Sequence, residues 1–117
     1  MKYILLIHHE ETFDEDERRD LLAESVQLAN QLDEKGQYLD AAPLQPISKT
    51  ISVKVRDGKR LVTDGPFTET REQIGGYFLI DAGDINEAID IAGRIPGARI
   101  GTVKVRPVRE VEGLPES

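Results

Sequence analysis

The first strand constrains this chain more than any other feature. Lys2 to His8 is nearly continuously apolar, and successive strand residues point to opposite faces. Tyr3, Leu5 and Ile7 therefore share one face, and Ile4 and Leu6 share the other. Both faces need cover, yet only two later segments have helical periodicity. The first opens in the charged stretch Glu10 to Arg19, where Thr12 or Asp14 can cap it and the acids from Asp14 to Glu17 suit the positive end of the helix dipole. Its stripe is Leu21, Ser25, Leu28, Ala29 and Leu32, and Gly36 sits where a left-handed terminator belongs. The second starts at Asp84, with Glu87 placed for a capping box. Its stripe is Ile85, Ala88, Ile89, Ala92 and Ile95, Arg94 suits its last turn, and Pro96-Gly97 stops it.

Strands fill the rest. Tyr38 to Leu44 is one, ended by Pro43 and Pro46. Thr50 to Arg56 sets Ile51, Val53 and Val55 against Ser52, Lys54 and Arg56, the alternation of a half-buried strand. Asp57-Gly58 is a hairpin turn, and Lys59 to Thr63 returns as the partner. Asp64-Gly65-Pro66-Phe67 forms a second turn, with Phe67 placed to plug the core. Ile74 to Asp81 is a strand interrupted by Gly75-Gly76, which marks a bulge or a close approach. Gly101 to Val108 is the last strand, with Val103 and Val105 on one face.

The order predicts an α+β fold, a ferredoxin-like βαββαβ unit with an inserted β-hairpin, as one domain over 1–109 followed by a polar tail at 110–117. No repeat or low-complexity linker interrupts it. Two helices cover one face of such a sheet. The other is expected to pack on a second copy, and two facing sheets then enclose a barrel-like interior, a dimeric α/β barrel.

The 117 residues suffice for one core. The chain has no cysteine, which excludes disulfides, thiolate metal sites and a cysteine nucleophile. Fifteen basic residues against 22 acidic ones give a net charge of −7, which argues against nucleic acid and anionic membranes as partners. The longest apolar run, Ile4 to Ile7, is far short of the ~20 residues of a membrane span. Met1-Lys2 leads straight into it with no small-residue cleavage site, so a cytoplasmic protein is expected.

A longer pattern spans Asp64-Gly65-Pro66-Phe67-Thr68-Glu69-Thr70-Arg71-Glu72-Gln73 and then Gly75-Gly76-Tyr77-Phe78-Leu79-Ile80. With Ser52-Val53-Lys54-Val55-Arg56-Asp57-Gly58, Ile95-Pro96-Gly97-Ala98-Arg99 and Val105-Arg106-Pro107, it resembles the DGPF-domain family, a branch of the YCII-related proteins, from Met1 to about Val108. The resemblance implies a dimeric α/β-barrel fold and members that are mostly uncharacterised. It also implies a regulatory or accessory link, since some DGPF-type domains occur beside extracytoplasmic-type sigma factors. YCII relatives carry a His–Asp pair proposed as an active site, its histidine on the first helix. Counting back from Gly36 places that position near Ser25, and this helix has no histidine, so the pair is not carried over.

The residues offer other candidates. Asp64 is a general base at a barrel mouth or a turn former. His8 and His9 point to opposite faces and cannot easily share a metal. His8 with Glu10, or His9 with Glu11, supplies two ligands where a usual site needs more, so no metal is expected. Each histidine is an acid–base group or a hydrogen-bonded strand end. Beside the glycine pair, Arg71, Gln73 and Tyr77 are placed for polar recognition of a ligand, with Glu72 between them; Glu69 and Arg71 equally suit a solvated ion pair. Thr102, Lys104 and Arg106 lie opposite Val103 and Val105. Lys104 and Arg106 then face the dimer interior, where they pair with acids or bind an anion.

No G-x-S-x-G elbow, phosphate loop, dinucleotide fingerprint or calcium loop is present, and no cofactor is expected. Three Phe, three Tyr and no Trp leave few base-stacking platforms. The expected function is a small-molecule-binding homodimer with a regulatory or accessory role. The alternatives are an enzyme on a small polar or anionic metabolite, using Asp64 or a histidine with Arg106 as anchor, and an interaction module without a ligand.

Overall fold

Strand β1 (Lys2–His9) lies at the centre of a four-stranded antiparallel sheet of order β2-β5-β1-β6, with β2 at Tyr38–Pro43, β5 at Gln73–Asp81 and β6 at Gly101–Pro107. The structure is a computed structural model that describes residues 1–65 and 71–115. Helix α1 (Glu15–Glu34) carries the chain from β1 over β5 to β2, and α2 (Ile85–Arg94) carries it from β5 over β1 to β6. This order is compatible with the ferredoxin-like α+β fold. Between β2 and β5 a separate two-stranded sheet is inserted, β3 (Ile51–Arg56) with β4 (Lys59–Asp64). Among the described residues the main sheet stays open and closes no barrel, and no helix is long and apolar enough to cross a membrane.

The helices start where their capping residues stand. Asp14 caps α1, accepting from the Glu17 backbone N–H at 2.8 Å while the Glu17 carboxylate takes the Asp14 N–H at 3.3 Å. The helix therefore begins after Asp14, and Glu10 to Asp14 form the approach to it. Gly36, at φ +70°, reverses the chain behind it. Asp84 caps α2 in the same way, at 2.9 Å from the Glu87 N–H. Here the reciprocal bond moves one residue back, because the Glu87 carboxylate takes the N–H of Gly83 and the side-chain amide of Gln37, each at 3.0 Å.

The core lies between the helices and one face of the sheet. Tyr3 and Leu5 meet Phe78 and Ile80 from β5, under Leu28 and Leu32 of α1 and Ala88, Ile91 and Ala92 of α2. The α2 stripe differs from the periodicity reading. Ile85 and Ile89 are exposed and Ile91 is buried. Ala88, Ile91, Ala92 and Ile95 form the contact face at i, i+3, i+4 and i+7, with the two alanines keeping the helix close to the sheet. Pro96 ends α2, but the chain makes a further helical turn, α3 (Gly97–Ile100), before β6. Arg99 from this turn grips Glu24 of α1 at 2.9 Å.

The opposite face of the sheet carries Ile4, Leu6, Tyr77 and Leu79, all half-buried, and no helix among the described residues packs on it. The inserted hairpin departs from expectation more sharply. Its apolar row Ile51, Val53 and Val55 is 57–63% exposed rather than half-buried, because among the described residues β3 and β4 pair only with each other. The turn at its tip is as read, with Asp57 at φ 52° and Gly58 at φ 73°. Of the second turn, Asp64 ends β4 and Gly65 takes φ +94°, while Pro66 and the Phe67 plug lie outside the described residues, as do Glu69 and residues 116–117 of the tail.

Candidate functional site

Both histidines stand at the C-terminal end of β1. There β5 carries one extra residue: Ile7 faces Gly76, His8 faces Ile74, and Gly75 is left between them as a bulge. His8 points to the open face and His9 to the helix face. The His9 ring lies over the bulge, and a Cβ on Gly75 would run into its Nε2. Gly101, opposite His9 in β6, is tighter still, since a Cβ there would strike the backbone carbonyl of His8. His9 Nδ1 lies 3.0 Å from the Glu10 carbonyl, which can only accept, so the proton sits on Nδ1. The ring also meets Phe13 with centroids 5.2 Å apart and planes tilted by 55°.

Beside His9, on the helix face, a groove of about 650 Å³ opens between α1 and the sheet. It exists because α1 is anchored by its C-terminal half. Leu28 and Leu32 are buried, whereas Leu22 and Val26 nearer the N-terminus are exposed. Ile7 and Phe78 line it from the sheet, Phe13, Leu21 and Leu22 from the helix side, and Ile100 from α3. Polar groups enter at His9, Arg18, Ser25 and Tyr38. Ser25, the position matched by counting to the histidine of YCII relatives, does reach this groove, but its hydroxyl is spent on the Leu21 carbonyl at 2.9 Å. Arg18 is partly exposed and sits 3.7 Å from Glu15.

A second, shallower depression of about 410 Å³ lies on the open face, formed by His8, Glu10, Arg71, Glu72, Thr102 and Lys104. Arg71 pairs with Glu10 at 3.0 Å, and the Thr102 hydroxyl donates to Glu72 at 3.2 Å. Burial lowers the His8 imidazole from its ordinary 6.5; the Lys104 charge lowers it further and Glu72 partly opposes both. Its Nε2 is buried without a hydrogen-bond partner among the described residues, which a neutral ring tolerates better than a charged one.

The candidates thus divide. His9 belongs to the helix-side groove, with Gln73 opposite it in register. His8, Arg71 and Lys104 cluster on the open face. Arg106 lies farther along that face, opposite Ile4. Tyr77 contributes to the groove's edge while its hydroxyl donates to Asp40 at 2.7 Å, a bond that raises the phenol above its ordinary value. Asp64 ends β4, exposed and opposite Ile51, apart from both depressions. Among the described residues no three His, Asp or Glu side chains gather as a metal site.

Several contributors escaped the sequence reading. Phe13 directly precedes the cap Asp14, but Arg18 stands where a hydrophobic staple would need an apolar partner, so no spacing marked it. Asp40, the partner of Tyr77, comes from a distant segment that no local spacing relates; Glu11, read beside His9, instead accepts from the Ile47 N–H at 3.1 and 3.2 Å.

Comparison with known proteins bears on this arrangement as a whole. The family model of the YCII-related domain matches residues 1–112. An uncharacterised protein of Rhizobium meliloti (strain 1021) is 34% identical over 118 residues, covering 92% of each chain.

Proposed function

We propose that this chain, which belongs to the YCII-related family, is a homodimer that binds a small molecule in the groove beneath α1. The groove carries this reading. Its 650 Å³ falls within the range of small-molecule sites, and its wall is mainly aliphatic and aromatic with a few polar groups at fixed points. That composition suits a compact, largely apolar ligand with a polar end near His9. The homodimer follows from the open face, where Ile4, Leu6 and Leu79 form an apolar strip flanked by Lys104 and Arg106 on one side and Asp40 on the other. A two-fold partner would cover the strip and bring unlike charges into reach. A regulatory or accessory role accords with the resemblance to DGPF-type domains.

The second reading is an enzyme acting on a small polar or anionic metabolite. The His8, Arg71 and Lys104 cluster favours it, since burial and the Lys104 charge lower the His8 imidazole and favour its neutral form beside two cations. The test of the first reading is fluorescence titration with the neutral apolar dye N-phenyl-1-naphthylamine, in the wild type and in Ser25→Phe, which fills the groove. Binding weakened by about tenfold or more in the variant, with unchanged circular dichroism, supports the groove as the site. Equal binding by both proteins refutes it.

A further inference from the structure

Arg18 stands where the periodicity of α1 calls for an apolar residue. Arg18, Leu21, Leu22, Ser25 and Ala29 recur at i, i+3, i+4, i+7 and i+11, and all line the groove beneath the helix. Among the described residues of that wall, Arg18 carries the only fixed positive charge. Its backbone N–H bonds the Asp14 carbonyl at 2.9 Å, directly after Phe13, whose ring meets His9. Arg18 and His9 therefore enter the groove at the same end. The guanidinium is only partly engaged. Its Nε is buried and has no hydrogen-bond partner among the described residues. The exposed Glu15 carboxylate stops 3.7 Å away, too far for a hydrogen bond. A buried charged donor without an acceptor is costly, and an acceptor arriving from the groove removes that cost.

We propose that the groove takes a monocarboxylic acid with an apolar body, its carboxylate held by Arg18. The proposal rests on the groove reading and names the chemical class of the ligand. A planar guanidinium presents its donors as a fork that fits the two oxygens of a carboxylate. Ile7, Phe13, Leu21, Leu22 and Phe78 line the same groove and supply apolar contact for the body of the acid. Half-enclosed apolar surroundings make the ion pair stronger than the same contact in water. The charge count selects a single carboxylate. One cation matches one negative charge. Glu11 and Asp33 also border the groove, both exposed, and the Glu11 carboxylate is held on the Ile47 N–H at 3.1 Å. Their field disfavours a more highly charged ligand such as a phosphate. A neutral apolar ligand would leave the Arg18 Nε without an acceptor.

Octanoate and 1-octanol share an alkyl chain and differ at the carboxylate. Displacement of bound N-phenyl-1-naphthylamine by each therefore reads the charged handle separately from the groove. The wild type should bind octanoate more tightly than octanol at neutral pH. Arg18→Met keeps an unbranched side chain and a good helix former. It should weaken octanoate by about tenfold or more and leave dye and octanol binding nearly unchanged. Glu15→Gln removes the competing carboxylate and should tighten octanoate by about twofold or more, with octanol unaffected. Octanol bound as tightly as octanoate by the wild type overturns the carboxylate and leaves the groove reading standing. Unaltered octanoate affinity in a folded Arg18→Met overturns the assignment to Arg18. If that variant does not fold, Glu15→Gln decides, and unchanged octanoate affinity there overturns the assignment. A wild-type chain that binds neither dye nor acid removes both the groove reading and this proposal.

Discussion

Gly75→Ala tests how the bulge positions His9. The new methyl group would occupy the space of the imidazole, with Cδ2 at 2.8 Å and Cε1 at 2.9 Å from the added carbon. The ring must turn away. It then gives up the bond to the Glu10 carbonyl, worth about 1 kcal/mol net, and the tilted contact with Phe13, worth roughly as much. Against this, replacing glycine stiffens the unfolded chain and returns about 0.4–1 kcal/mol. The balance is a destabilisation of about 1 kcal/mol, or roughly 4 °C in Tm for a domain of this size. Urea and thermal unfolding at one fixed protein concentration will measure it. The sharper measurement repeats the substitution in a His9→Ala background. With the ring gone the three closest contacts of the methyl group go with it, and Gly75→Ala should become stabilising by about 0.4–1 kcal/mol. An equal loss of stability in both backgrounds would refute the argument, because the cost would then come from the backbone of the bulge and not from the imidazole.

Other outcomes follow from the same contacts. Leu32→Ala, at a fully buried site under α1, should cost about 2–5 kcal/mol in urea unfolding. Stability should fall as pH drops below about 6.5, because the unfolded chain takes up the His8 proton before the folded chain does; the fall levels off at the lowered folded value, and His8→Gln should flatten this part of the profile. Gly93→Ala lies in α2 with open space around it and should raise stability by about 0.5–1 kcal/mol in the same assay.

What could be read from the sequence was what is local or periodic. The alternation of Tyr3, Leu5 and Ile7 against Ile4 and Leu6 gave the two faces of β1, and Asp57-Gly58 gave the turn at the tip of the hairpin. Asp84 marked the start of α2, whereas for α1 Thr12 and Asp14 were equal caps and the structure uses Asp14. The misreadings lie where packing decides between equal local options. Ile85, Ile89 and Ile91 all fit an apolar stripe, and only the close approach of Ala88 and Ala92 to the sheet selects Ile91. The row Ile51, Val53 and Val55 has the alternation of a half-buried strand, but no spacing says which surface covers it. The groove depends on where α1 lifts away from the sheet, a tertiary angle that its own residues do not encode. His9 could be chosen as a candidate by type alone; that it sits over Gly75 could not, because the two are joined only by strand register.

The central claim is a dimer holding a small molecule, and native mass spectrometry of freshly purified protein, compared with its denatured mass, tests it most directly. The expected species has twice the chain's 13.1 kDa and carries an additional dissociable mass. A single chain at 13.1 kDa with nothing bound, across the accessible concentrations, would contradict it.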